Sequence, residues 1–455
     1  MTRSHRTLPV TSLAEAEAWL AGLIDFERRR DLPYERLGLA PVRALLERVG
    51  NPHRDLCVLH VAGSKGKGST ALLSEALLRE LGARTGTFTS PHLSSWTERF
   101  RLDGREVEAE RLVAASEALR PHVEELCAGP PETVPSWFDV TTAAAFWMFR
   151  DAGVERAVVE VGLGGRLDST NVVDAAVACV TSIELEHVRL LGDSLAAIAR
   201  EKAGILKPER PAVMGALAPE AAAVVEARAQ ELGAPLSRLG RDFHVRVRSA
   251  DASGLVFELC DGELVLSARM PLLGAHHATN AALAVACVGR LPGVARTELA
   301  AAAVRAFDAV RLPGRVELLG RAPAIVVDSA HTPASARALA AALELIPHER
   351  RHLVLSVSAD KSLDDILAPL LPGAAQVTVT RAEPTRSLAP EEVAAMVRRL
   401  APSLALHAIP NPFLAVRAAR ERLAAGDLLC VAGSVYLAGI ARRVLSARGI
   451  HEGLR

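Results

Sequence analysis

Apolar positions along the chain fall into short unbroken runs that alternate with longer stretches where they recur every three or four residues. Leu56, Val58, Leu59 and Val61 form a run of strand length. Leu72, Leu73, Leu77, Leu78 and Leu81 follow at helical spacing across 71–81. Residues 85–89 are β-prone, and the runs at 157–161 and 177–182 are nearly continuous, as in parallel strands covered on both faces. Helical periodicity near 141–151, 194–203 and 219–232 alternates with these runs, which predicts a doubly wound α/β domain with a mostly parallel sheet. Upstream, 11–50 reads as amphipathic helix with Trp19, Leu20, Leu23, Ile24 and Phe26 on one side. A charged step at 27–31 follows, then a break around Pro41 and a second helix ending at Gly50.

The period changes to strict alternation between Phe243 and Met270, with turn signals at 251–254 and at Asp261-Gly262, so a small antiparallel meander is expected. An Ala-rich helix at 277–288 follows. A Pro-Gly break at Leu312-Pro313-Gly314-Arg315 suits a domain junction. Beyond it, strands near 324–328, 352–357, 375–379 and 428–432 alternate with helices near 334–345, 390–400, 412–425 and 435–447. Two units are therefore expected, 1–310 and 311–455, with a cleft at their junction.

A chain of 455 residues is too long for one ordinary core, in keeping with that division. Lys+Arg and Asp+Glu each number 53, so nothing electrostatic argues for nucleic acid or a membrane surface as partner. Aromatic residues make up 4% of the chain and Ala is abundant, which suits closely packed helices. The six cysteines are scattered without any CxxC pair and read as reduced core residues. With neither an apolar signal segment nor an apolar run near ~20 residues, a cytoplasmic protein is expected. The Arg28-Arg29-Arg30 run reads as a solvated helix end, with a grip on an anionic substrate as the alternative.

The chemistry centres on Gly63-Ser64-Lys65-Gly66-Lys67-Gly68-Ser69-Thr70, between the first strand and its helix. Glycines let successive N–H groups converge, and the helix N-terminus adds partial positive charge, so the stretch reads as a phosphate-binding loop. It departs from the strict GxxxxGK[ST] pattern because Gly68 separates Lys67 from Ser69, and a ligand-free glycine turn is the alternative. Glu160, at the end of a buried strand just before a glycine-rich turn, stands where such enzymes hold Mg²⁺; a carboxylate paired to a neighbouring cation is the simpler reading. His187, Lys202 and Asn280 are each unremarkable alone. Asp328 and His331 occupy the first strand-to-helix turn of the second unit, a favoured place for ligand-binding groups.

Taken in order, these residues lie in blocks that resemble the Mur-ligase superfamily, and most closely the folylpolyglutamate synthase/dihydrofolate synthase family. The blocks are GSKGKGST, TSPHL, EVGLGGRLDSTNVVD, REKAGILKPERPAV, LLGAHHATNAALA, RLPGRVE, DSAHTP, SADKSLDDI and AGSVYLAG, from about Leu37 to about Ile440. The resemblance implies a P-loop-containing, Mur-ligase-like central domain followed by a smaller Rossmann-like C-terminal glutamate-ligase domain. It implies ATP and Mg²⁺, with Gly66, Lys67, Gly68 and Ser69 on the phosphates and Ser90, Glu160 and His187 on magnesium. Lys202 matches a carbamylated lysine, which as an anion could bind a second Mg²⁺. Asn280, Arg315 and Asp328 match nucleotide contacts, Ser136 and Asp168 would sit near a pterin, and His331 near the γ-phosphate and incoming glutamate. Lys67, His187, Lys202 and His331 are the catalytic candidates.

The implied partners are small molecules, a pterin acid or folate and L-glutamate, acted on by a monomer. Four positions depart from the family pattern: Lys65 for Asn, Asp139 for Glu, Glu186 for Asp and Thr332 for Asn. Lys65 and Asp139 leave the choice between dihydropteroate and folate open. A Mur-type ligase for another acid such as a cell-wall precursor, a P-loop motor or switch, and a non-catalytic binding protein are the other readings.

Overall fold

The computed structural model describes residues 10–24 and 38–446. Seventeen strands are found among them. β1 (Cys57–Ala62), β2 (Thr85–Phe88), β3 (Phe100–Leu102), β4 (Arg105–Glu106), β5 (Arg156–Glu160), β6 (Val177–Val180), β7 (Ala212–Met214) and β8 (Leu236–Arg238) form one sheet, in the order β4-β3-β2-β5-β1-β6-β7-β8. From β2 to β8 neighbours pair in parallel; β3 and β4 add an antiparallel edge.

Side-chain alternation along these strands divides the core. Leu59, Val61 and Val158 face the helices Lys67–Glu80, His276–Val288 and Arg296–Ala309. Val58, Ala157 and Val159 face Ala40–Arg48, Ala109–Cys127 and Trp137–Asp151, while Ala62, Ala178 and Val180 face Leu195–Ala203 and Pro219–Glu231. The expected meander is β9 (Phe243–Asp251), β10 (Gly254–Asp261) and β11 (Leu264–Met270). Its buried face, with Phe257 and Leu259, joins the first of these cores.

The second sheet contains β12 (Glu317–Arg321), β13 (Ala324–Val327), β14 (Arg351–Leu355), β15 (Ala374–Val379), β16 (Ala405–Ala408) and β17 (Leu428–Ala432), in the order β12-β13-β17-β14-β15-β16. β12 is antiparallel and the other neighbours are parallel. Val326 and Leu353 face Pro333–Leu343, Leu363–Leu370 and Pro390–Leu400; Val327 and Val354 face Pro412–Glu421 and Val435–Leu445. Each sheet is thus covered on both faces, the doubly wound arrangement that its apolar strands demand.

Several boundaries differ from the sequence reading. The helix after the phosphate loop starts at Lys67 rather than 71, and the one expected near 141–151 starts at Trp137, because loop and cap residues supply their first turns. Helix Ala109–Cys127 escaped notice because Pro121 interrupts its pattern. Three-residue strands such as β7 carry too few residues to show a period. Within 11–50 the described helices are Leu13–Ala21 and Ala40–Arg48; Phe26, the Arg28–Arg30 run and Leu37 lie outside the described residues.

Candidate active site

β1 ends at Ala62, and the helix Lys67–Glu80 begins after Gly66, whose φ of 83° is left-handed and whose lack of a side chain leaves the first helical N–H groups uncapped. Those N–H groups and the helix dipole make a ready anion site. The loop is stapled to the turn after β6: Ser182 Oγ accepts from the Lys65 N–H at 2.7 Å, and Thr181 Oγ1 donates to the Lys65 carbonyl at 2.6 Å. Lys67 Nζ donates to the Gly63 carbonyl at 2.8 Å, so its charge stays beside the loop. Neighbours close in from both sides. A Cβ at residue 66 would meet Asn280 Oδ1 at 2.5 Å, and one at residue 68 would meet Glu160 Oε2 at 3.1 Å and crowd the Arg315 guanidinium.

Glu160 ends β5 directly beside Val61 of β1 and is 3% exposed. Burial pushes its carboxyl up, and the charges of Lys67 and Arg315 oppose that. The Ser90 N–H donates to Glu160 Oε2 at 2.9 Å. His187 stands at the exposed mouth with a left-handed φ of 45°.

Lys202 is the one candidate behind the wall of the cleft rather than on it. It is 2% exposed and donates to Glu186 Oε1 at 2.8 Å and to the Gly63 carbonyl at 3.0 Å. Burial lowers Lys202 to about 8 against the pull of Glu186. Burial alone would raise Glu186, but Lys202, Lys67 and Lys65 outweigh it and hold the carboxylate at about 2. Glu186 keeps its charge because three ammonium groups surround it; Lys202, with one carboxylate set against its burial, titrates below an exposed lysine but remains a cation at neutral pH.

Among the described residues no three His, Cys, Asp or Glu side chains form a ready metal cage. One buried carboxylate with a serine beside an anion-binding loop suits Mg²⁺, which takes few protein ligands and completes its shell with phosphate oxygens and water. Ser90 and Glu160 fit that ion. The Lys202 amine is a cation paired with Glu186 and could serve a metal only as its carbamate, which the drift toward a neutral, nucleophilic amine favours.

The second sheet contributes the opposite wall. Asp328 follows β13 and is clamped by the N–H groups of Val316 and Ala330, both at 2.6 Å; burial raises it to about 6. His331 Nδ1 lies 2.8 Å from the Ser329 carbonyl, and burial together with Lys65 lowers its pKa to about 4, so it is neutral.

The third wall is a buried network. Ser136 caps Trp137–Asp151 and donates to Asp139 Oδ2 at 2.6 Å, while Ser169 Oγ donates to Asp139 Oδ1 at 2.6 Å. Asp168 accepts from the Leu163 N–H at 2.8 Å and from the Thr170 hydroxyl, and burial raises it to about 6. Beside it, Arg99 lies against the Trp96 and Trp137 rings, 5.2 and 4.9 Å from their centroids.

A cleft of about 830 Å³ collects these walls. Gly66, Lys67, Gly68, Ser69, Ser90, Ser136, Glu160, Asp168, His187, Asn280, Arg315, Asp328 and His331 all line it. Candidates from 66 to 331 in sequence thus converge, with Lys202 one layer back. Trp96, Lys361 and Arg386 line the cleft too; Lys361 falls within the SADKSLDDI block but was given no role, and no spacing in the sequence marks Trp96 or Arg386.

Residues 125–288 match the Mur ligase middle domain and 314–435 the Mur ligase glutamate ligase domain. The Dihydrofolate synthase/folylpolyglutamate synthase of Mycobacterium tuberculosis is 38% identical over 398 residues, 82% of this chain and 81% of that protein. The probable bifunctional folylpolyglutamate synthase/dihydropteroate synthase of Haloferax volcanii is 35% identical over 411 residues, and there the chain spans about half, 48%, of its relative's length. In three dimensions the chain is similar to the Mycobacterium tuberculosis folylpolyglutamate synthase complexed with ADP and AMPPCP. The TM-score is 0.85 at 35% identity, covering 96% of this chain and 98% of that one. Conserved domain order, extended identity and shared architecture together place this chain in the folylpolyglutamate synthase/dihydrofolate synthase family of Mur ligases.

Proposed function

We propose that this chain is an ATP-dependent ligase that joins L-glutamate to a pterin acid, dihydropteroate or tetrahydrofolate or both, releasing ADP and phosphate. The observation that carries this reading is the shared cleft: the phosphate loop and Glu160 from one lobe face Asp328 and His331 from the other, with Ser136 and Asp168 beside them. We divide the chain into an ATP-binding lobe, 1–310, and a glutamate-ligase lobe, 311–455.

The substrate carboxylate attacks the γ-phosphorus of ATP, giving an acyl phosphate and ADP. The glutamate amine then attacks the acyl carbon, loses a proton, and phosphate leaves. Two anions must meet in the first step, so cations are needed between them. Lys67 at the loop and Arg315 from the junction supply that charge, and the uncapped helix N-terminus holds the phosphates. Ser90 and Glu160, with His187 and Lys202 as its carbamate, would hold magnesium, which would neutralise phosphate charge. His331, neutral and anchored by the Ser329 carbonyl, faces the cleft where the amine must lose its proton. Asp168 and Ser136 orient the pterin. An acyl phosphate hydrolyses in water, and a cleft walled by both lobes shields it.

Among the described residues no helix is long and apolar enough to cross a membrane. A monomer in the cytoplasm is part of the proposal.

ADP formation with dihydropteroate, and separately with tetrahydrofolate, each with and without L-glutamate, tests the reading. Turnover that needs both a pterin acid and glutamate is expected. Turnover on a cell-wall peptide precursor alone, or hydrolysis indifferent to glutamate, would overturn it.

A further inference from the structure

The loop at residues 90–95 is fixed at both ends to different lobes. At one end the Ser90 N–H holds Glu160 Oε2 at 2.9 Å. At the other, Leu93 packs among Ile325, Leu437, Ala438 and Ala441 of the C-terminal lobe, and Ser94 Oγ donates to the Gly439 carbonyl at 3.3 Å. Glu98 holds the loop's own shape, accepting from the N–H groups of Leu93, Ser94 and Ser95 at 2.7, 2.9 and 3.1 Å.

Gly439 sits inside the helix Val435–Leu445, where an alanine would serve the helix better. A Cβ there would overlap the Leu93 carbonyl group, 2.6 Å from its carbon and closer still to its oxygen. The opposing atoms are main chain held by Glu98, so no rotamer change relieves the overlap. Helix and loop approach this closely because residue 439 has no side chain.

We infer that the backbone of Leu93 seated on Gly439 is an interlock between the lobes, and that Gly439 is a positioning residue for ligation: seating the C-terminal lobe sets the loop that carries Ser90 against Glu160. The inference deepens the proposed function and rests on it for its kinetic consequence. The geometric claim, that a side chain at 439 pushes the lobes apart, stands independently.

The test is Gly439→Ala, with Leu93→Ala as a second variant. Thermal unfolding, the kcat of glutamate-dependent ADP formation, and the radius of gyration from solution scattering with AMPPCP and a pterin acid are measured on the full chain. For Gly439→Ala the expected result is a Tm lowered by the lost contact between the lobes, a larger radius of gyration than wild type, and kcat lower by about tenfold or more. Leu93→Ala should lower kcat by less, since its main chain can still seat. A purely structural glycine would lower Tm and kcat with wild-type scattering, and that result, or wild-type kcat with wild-type scattering in Gly439→Ala, overturns the interlock. Absence of amide formation by the wild-type protein would instead refute the proposed function, while the scattering comparison still decides the interlock.

Discussion

The Lys202 ammonium donates to the Glu186 carboxylate at 2.8 Å with only 2% of the lysine exposed, immediately behind the phosphate loop. Deleting it leaves Glu186 with Lys65 at 4.0 Å and the charge of Lys67 nearby. Lys202→Ala should therefore cost about 2 kcal/mol in urea unfolding, below the usual toll of a broken buried pair because Lys65 remains. Lys202→Ala/Glu186→Gln should recover much of that stability. Ligation should be lost in both variants and partly restored in Lys202→Ala by short-chain carboxylates that stand in for a carbamate. Indifference of turnover to the substitution counts against a carbamylated lysine.

Lys67 donates to carbonyls of its own loop, Gly63 at 2.8 Å and Ser64 at 3.5 Å, and its charge acts on Glu160 and Glu186. Lys67→Ala should still unfold cooperatively, with stability lower by about 1 kcal/mol because Glu160 and Glu186 lose a neighbouring positive charge. Amide formation should fall by roughly 10²–10³, the usual consequence of losing one charge aimed at the reacting group. Near-normal turnover would remove the loop from the chemistry.

Burial raises Asp168 to about 6 from an ordinary 3.8. Between those values the folded protein keeps a proton that the unfolded chain releases, so folding stability from this group is present at low pH and lost as pH rises through 6. The loss is about 3 kcal/mol at most. Asp168→Asn should consequently show a flatter fall in urea-unfolding free energy between pH 4 and pH 7 than wild type. Superimposable pH slopes would mean that Asp168 is ionised throughout that range.

Chelation with EDTA should abolish ADP formation while leaving the Tm of the nucleotide-free protein unchanged, because among the described residues no preformed cage depends on an ion. Adding Mg²⁺ together with ATP should raise Tm in proportion to the logarithm of nucleotide concentration, as for any ligand of the native state. A Tm that drops on chelation without nucleotide would reveal a structural metal instead.

The α/β class and the two-lobed plan were legible because they rest on local signals. Val58, Leu59 and Val61 are apolar on both faces, as β1 between two helical layers requires, and β9 to β11 alternate because one face is wet. Glycines and lysines mark the phosphate loop wherever it lies in the fold, and the order of the motif blocks carried Ser90, Glu160, Asn280, Arg315, Asp328 and His331 into the candidate site. Helix Ala109–Cys127 was missed because Pro121 masks its period, and Trp96 and Arg386 because a cleft wall has no spacing rule.

By itself the sequence determined what each segment becomes: strand or helix follows from the period of apolar positions, and an anion-binding turn from residues that carry no Cβ or a fixed charge. Tertiary structure alone decided which groups meet. Lys202 lies 135 positions beyond Lys67, yet both donate to the Gly63 carbonyl. Leu93 rests on a glycine 346 positions away. Contacts of that separation depend on how strands order themselves within each sheet and how the lobes dock, and burial created by that packing is what moves Asp168, Glu160 and Lys202 from their ordinary protonation.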